Sequence, residues 1–419
     1  MTAMPKEHRA AGSRAAFTLI ELLVTLALIA IISVVVVVTL NPSELLKQAR
    51  DSNRLSDINT LNTAVSAFVV DQPTTAIGNA STTYVSVPDS TTTCANLGLP
   101  ALPTGWSYHC APTSTLRNVD GTGWLPVNFA AVSFGAPLSM LPIDPNNTTS
   151  TTFFYAYGTN ASKYELTTSV ESQKYTTSAA NDGGLDPGTY EQGTSFSVIP
   201  FIHGLVGYWN FEDANTASTT DISGYGDTLN WHGTSTIRYV TGKVGAYAAW
   251  FGGNTDYLSP SISAGLPGGK FGTGDFTVTF WAKGNGNTGA YPSYVTTHTC
   301  GCSEASWSVG ANIAGNWRIE DVGEGQHSTS PSYDMSNGSW HFLAAERSGT
   351  AMRMYIDGSL YGTATDGTSP WNLSAGSGIN IGLGSGSGPY LKNDSIDDLR
   401  IYSRALSSAE ISAIYTSTN

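Results

Sequence analysis

Ala16-Phe17-Thr18-Leu19-Ile20-Glu21-Leu22-Leu23-Val24 opens an apolar run that continues to Leu40 with one charge inside it, Glu21. The 24 residues from Phe17 to Leu40, wound as a helix, make a rod of about 36 Å, enough for a bilayer core of about 30 Å. Lys6, Arg9 and Arg14 precede the run. A basic flank of this kind stays in the cytoplasm while the rest is exported. A carboxylate inside a membrane helix is expensive without a partner, and no Lys or Arg lies between Arg14 and Lys47. The partner that fits Glu21 is the α-amine of Phe17 in a neighbouring subunit, freed by cleavage after Ala16. A secretory signal fits less well, because the run is long for a signal core and no small-x-small site follows it cleanly.

This start resembles the type IV pilin and pseudopilin family. The resemblance implies that residues 1–16 are a leader, cut by a prepilin peptidase on the cytoplasmic side. The new N-terminus at Phe17 is usually methylated in that family, and subunits assemble through the 17–40 helix. Ala16 departs from the family's usual Gly.

Beyond Leu40, Asn41-Pro42-Ser43-Glu44 reads as a break and a fresh start. Proline suits the first turn of a helix, and Asn41 with Glu44 three residues on has the spacing of a capping box. Leu45, Leu46, Ala49, Leu55, Ile58, Leu61, Val65 and Phe68 then recur at helical spacing. Lys47, Arg50, Asp51, Arg54 and Asp57 are expected on the other faces. The helix is expected to end near Val70. Phe153 to Tyr157 and Lys163 to Thr168 read as a hairpin turning at Gly158-Thr159-Asn160, able to pack on that helix. Leu141-Pro142-Ile143-Asp144-Pro145 and Leu166 to Ser172 are also similar to the globular heads of bacterial pilins. Residues 41–200 are thus expected to be a pilin-like α+β domain, a long helix with a small antiparallel sheet.

From residue 201 the character becomes β. Leu205 to Phe211, Phe276 to Trp281 and Ile396 to Tyr402 have strand patterning, and Met352 to Tyr361 is a hairpin with an Asp357-Gly358 turn. Regular strands and glycine-rich turns indicate a two-sheet sandwich over 201–419. These segments resemble the concanavalin A-like, laminin-G-like jelly roll. Ser407 and Glu410 predict a capping box on a short last helix.

Composition narrows the function. The chain has 419 residues, 12% charged, with a formal charge of −13. An acidic chain is a poor partner for nucleic acid. Cys94 and Cys110 read as a disulfide closing a mid-sized loop in an exported protein, worth about 3 kcal/mol in the chain-entropy model. Cys300 and Cys302 leave a local disulfide and free thiols both open.

Asp213, Asp221, Asp227, Asp256 and Asp397 stand in or beside glycine-containing loops. Calcium takes six to eight oxygens from such loops, and many laminin-G-like modules hold one calcium ion. The expectation is one ion tying Asp213, Asp221 and Asp227 to Asp397; the bland reading is a set of turn-forming aspartates. Tyr225, Trp231, Tyr291, Tyr294, Trp307, Trp317, Tyr333, Trp371 and Tyr390 are candidates for a sugar-stacking platform, with burial the competing reading of each. Trp209, Trp281 and Trp340 are expected in the core. No strand carries a carboxylate pair of the glycoside-hydrolase kind: Glu320 and Asp321 are adjacent and alternate in facing.

These readings combine into a non-enzymatic subunit of a type IV pilus-type filament, minor or at the tip, that displays a lectin-like module to a glycan or protein surface. A pseudopilin of a type II secretion system and a surface-anchored glycoside hydrolase are the alternatives.

Overall fold

Asn41 and Pro42 break the N-terminal helix in two. The computed structural model describes residues 18–419 apart from 100–101, 103–104, 150–152, 161–162, 185, 187, 197, 200–203, 215–216, 224, 254, 261–270, 285–292, 298–305, 312–316, 323–326, 330–332, 334–336, 366–369, 371, 374–377 and 384–390. Helix α1, Leu19–Leu40, ends where Asn41 turns left-handed at φ 39°. Helix α2, Pro42–Asp71, begins with a residue that has no N–H to extend the ladder. The expected cap is not made. Asn41 gives no side-chain bond to the α2 backbone, and its Oδ1 accepts from Ser43 Oγ. Glu44 instead accepts from Gln173 N at 2.8 Å, reaching a later part of the chain.

The described side chains of α1 stop at Ser33, and among the described residues no helix is long and apolar enough to cross a membrane. The backbone helix itself is 22 residues.

Helix α2 packs Ile58, Leu61, Val65 and Phe68 against Trp124, Tyr155, Tyr157, Tyr164 and Leu166. The last four come from two adjacent strands, Tyr155–Asn160 and Lys163–Ser169. Their turn falls later than the sequence suggested: Gly158, Thr159 and Asn160 stay in the strand, opposite Glu165, Tyr164 and Lys163. The sheet runs Ser107–His109, Thr82–Val85, Tyr155–Asn160, Lys163–Ser169, Thr189–Gly193. The first pair is parallel and the rest antiparallel. A disulfide joins Cys94 to Cys110 beside Val85, Val87 and Phe154. Helix α3, Gln173–Ala180, follows the fourth strand with Ser172 as its cap.

The second half is a sandwich of two sheets, each with eight strands among the described residues. One runs Ser359–Thr365, Ala351–Ile356, Trp340–Ser348, Phe276–Lys283, Asp394–Tyr402, Tyr247–Phe251, Tyr239–Thr241, and Leu205–Trp209 also pairs with Asp394–Tyr402. The other runs His327–Thr329, Trp317–Val322, Ser306–Ala311, Ser293–Thr296, Asn380–Ile381, Tyr257–Pro260, Leu229–His232, Ser218–Thr219. Trp209, Phe251, Phe276, Phe280, Trp307 and Met354 fill the space between them. Asp357 and Gly358, both at positive φ, make the tight turn of the Ala351–Thr365 hairpin.

Helix α4, Ser408–Thr418, carries the capping box between Ser407 and Glu410. It lays Ile411 and Ile414 on the outer face of the first sheet, against Tyr208, Trp281 and Phe342, and it also contacts α3. There Arg404 ion-pairs with Glu410 at 2.7 Å, and its charge acts on the buried Asp186. Gly188 makes room for this junction, since a Cβ there would stand 2.7 Å from Arg404 Nη2.

Candidate functional site

Among the described residues three places hold chemistry: the exposed apolar helix, the charged groups buried in each half, and an open groove on the sandwich.

Ala16 and Phe17 lie outside the described residues. Thr18 caps α1, and Glu21 completes a capping box: its Oε2 accepts from Thr18 N at 3.0 Å and Thr18 Oγ1 at 2.9 Å. Ten large apolar side chains from Leu19 to Ile32 are 49–82% exposed in the single chain. Covering each stabilises by roughly 1.5 kcal/mol or more, so the helix calls for cover worth about 15 kcal/mol.

Asp51 and Arg54, read from the sequence as solvent-facing, are fully buried. Arg54 donates to Asp144 at 2.6 Å, Asp51 at 2.7 Å and Glu171 at 2.7 Å. Burial alone would lower its pKa, but Asp144, Glu171 and Asp51 hold it above the ordinary value. Arg50 adds a two-pronged contact to Glu171. The network fastens α2 to the Asp144 loop and to Glu171, just beyond the Lys163–Ser169 strand.

The four aspartates expected to share a calcium ion do not meet at one point. Asp213 accepts from Thr220 N at 2.8 Å and from the hydroxyls of Thr219 and Thr220. Asp221 accepts from Tyr208 N, Ser223 N, Ser223 Oγ and Asp227 N. Asp397 accepts from Lys243 N at 2.7 Å, Val244 N at 2.9 Å and Asp398 N at 2.8 Å. Protein N–H and O–H donors thus reach the carboxylates of Asp213, Asp221 and Asp397. Asp256 likewise holds a turn, accepting from Gly253 N and Ser235 N.

Asp227 lies beside Asp221, and among the described residues its buried Oδ2 has no partner; burial, then the Asp221 charge, pushes its carboxyl up to about 7. Burial pushes Asp397 up to about 8. Among the described residues no three His, Cys, Asp or Glu side chains form a metal-ligand group.

The first and last strands of the sandwich are tied by other residues. Tyr208 Oη donates to Asp398 Oδ1 at 2.8 Å, and Arg400 Nη2 donates to both, at 3.1 and 3.0 Å. Asp398 sits at φ 50°, where the pairing with Phe276–Lys283 slips register. That bulge breaks the alternation that would have flagged the residue in the sequence.

Of the platform candidates, Trp231, Tyr294 and Trp307 are buried, and Tyr225 and Tyr333 are half-buried. Tyr291, Trp371, Tyr390, Cys300 and Cys302 lie outside the described residues, as does the side chain of Trp317. Trp209 and Trp281 are core as expected, and Trp340 is half-buried.

The open groove, of about 670 Å³, is lined by Ala214, Ala217 and the segment from Gly233 to Tyr239. Tyr239 forms a fixed wall: its hydroxyl donates to Ser218 O and accepts from Trp231 Nε1. Ile237 is 58% exposed at the rim.

Residues 12–37 match the model of the prokaryotic N-terminal methylation motif. Residues 252–412 match that of the concanavalin A-like lectin/glucanases superfamily. No curated protein matches the chain. Among solved structures it is similar to domain 4 of AbnA, a GH43 extracellular arabinanase from Geobacillus stearothermophilus, in complex with arabinotriose. Identity is 17% and the TM-score 0.40, over 51% of this chain and 98% of that one. It is also similar to the binding domain of Paraclostridial Mosquitocidal Protein 1, at 19% identity and TM-score 0.40, over 51% and 52%. The receptor binding domain of a botulinum neurotoxin C/D mosaic serotype gives 17% and 0.38, over 51% of each chain. This chain therefore spans about half the length of the two toxin domains. At these identities and TM-scores no ligand is carried across. The chain thus joins the methylation motif of type IV pilin leaders, at 12–37, to a domain of the concanavalin A-like lectin/glucanases superfamily, at 252–412.

Proposed function

We propose that this chain is a subunit of a type IV pilus-type filament, minor or at the tip, whose sandwich is displayed outside the cell to bind a glycan or a protein surface. It enters the inner membrane through the 17–40 segment. A prepilin peptidase cuts it between Ala16 and Phe17, and it then joins other pilin subunits. Glu21 exchanges its contact with Thr18 for the free amine of a neighbouring Phe17. The observation that carries this reading is α1, an apolar helix left uncovered in the single chain and lying largely within the matched methylation motif. A long helix packed on a small sheet, antiparallel but for its first pair, suits the shape such a subunit needs. The bulk of a 201–419 module at every position of a helical filament favours a minor or tip place.

Mass spectrometry of the mature N-terminus tests the processing: a chain beginning at Phe17 is expected, and one still beginning at Met1 refutes the reading. Glu21→Ala is expected to leave the protein in the membrane and out of filaments, and normal incorporation of that variant refutes the pairing.

A further inference from the structure

We propose that the groove beside Tyr239 is the ligand site of the sandwich, and that it takes a saccharide bearing a carboxylate, with Arg238 as the residue that reads the charge. The proposal rests on the reading that this module binds a glycan.

Arg238 is unlike the other arginines whose side chains are described. Arg50, Arg54, Arg353, Arg400 and Arg404 each have a carboxylate partner. Arg117 donates to Leu141 O, and Arg347 to Gly272 O and Gly274 O. Among these described side chains Arg238 alone donates to no protein acceptor. Its guanidinium carbon lies 5.8 Å from the ring centroid of Trp231, a contact that orients the fork without using its N–H groups. Trp231 is fixed in turn by Tyr239 and by Phe251, whose ring centroid is 5.1 Å away. Asp213, the acidic group that acts on Tyr239, has its oxygens engaged by Thr219 and Thr220 and not by Arg238. A cation with no protein acceptor among the described residues, in a chain of charge −13, is ready for an anion from outside.

The rest of the groove selects what carries that anion. Thr234, Ser235 and Thr236 line it with hydroxyls, and Ile237 offers an exposed apolar surface. A pyranose ring presents the same two characters, hydroxyl edges and an apolar C–H face. The volume, about 670 Å³, is in the range of small-ligand sites, roughly 300–1,000 Å³. A guanidinium fork meets a carboxylate through two parallel N–H···O bonds, so a uronate-type sugar is bound by its charge and its ring together.

The test is calorimetric titration of the detergent-solubilised full chain with oligogalacturonate and with its methyl ester, which keeps the rings and removes the charge. The acid is expected to bind, with affinity falling as salt rises, and the ester to bind at least about tenfold more weakly. Arg238→Met, which keeps the stem against Trp231, is expected to lose about tenfold for the acid with an unchanged melting temperature; Arg238→Lys is expected to fall between. Ile237→Asp, a rim change that leaves the core intact, is expected to weaken the acid more than the ester. Equal affinity for acid and ester, or full affinity in Arg238→Met, overturns the acidic-sugar site while leaving glycan binding standing. Binding to no glycan on a broad array overturns both.

Discussion

Arg54 and the pair Glu165–Glu191 are buried to the same degree in the same small domain, and the fold treats them in opposite ways. Three carboxylates surround Arg54, and its N–H groups are aimed at them. Glu165 and Glu191 stand on adjacent strands, and Oε2 of each accepts from backbone N–H groups. Among the described residues no N–H or O–H of another residue reaches Oε1 of either, and the two carboxyls meet each other. The charges acting on Glu191 are Glu165, Asp186 and Asp182, all of the same sign. Burial, and for Glu191 also these like charges, raises both carboxyls above their ordinary range. A buried charge can be matched by opposite charges, which fixes a position, or removed by a proton, which ties the fold to pH.

The largest effect should come from breaking the matched case. Arg54→Ala leaves Asp51, Asp144 and Glu171 facing one another and should cost about 3–5 kcal/mol, read as a lower guanidinium midpoint for the first half of the chain. A loss under about 1 kcal/mol would put Arg54 in the class of weak surface pairs.

The protonated case predicts acid stabilisation. A carboxyl whose folded pKa is raised binds its proton more tightly in the folded chain. Its contribution is complete below the unfolded value near 4 and is lost as pH rises through the folded one. With Asp182 and Asp227 pushed up to about 7 and Asp397 to about 8, stability should fall between about pH 5 and pH 8.5. The expected drop in melting temperature is on the order of 5 °C. A flat profile would mean that these groups are solvated or paired in solution.

Glu165→Gln sharpens the contrast, because a neutral amide can donate to Glu191. It should raise stability at pH 8 by about 1 kcal/mol and flatten the pH profile of the first half. Smallest of all, melting curves in millimolar calcium and in chelator should superimpose, because Asp213, Asp221 and Asp397 are already engaged by protein donors.

What the sequence disclosed is what local pattern carries. The apolar run after Phe17, the Asp357-Gly358 hairpin, the strand through Ile396 to Tyr402 and the Ser407–Glu410 cap are each written in a few consecutive residues. The buried charges are not. Arg54 meets Asp144 and Glu171 across 90 and 117 residues of chain, and helical spacing alone put it on the solvent side. Asp398 is hidden by a bulge, and the backbone donors that reach Asp397 come from Lys243 and Val244, more than 150 residues away. Arg238 offered no local signal, since its meaning lies in what it lacks once the other arginines with described side chains have found partners.

Leu205–Trp209, the first strand of the sandwich, lies beside its last, Asp394–Tyr402. Both ends of the module therefore emerge at one place, and there Arg404 faces Asp186. Charge alternates across that corner, from Glu410 through Arg404 to Asp186, so a change of sign at Arg404 would be felt in both halves of the chain.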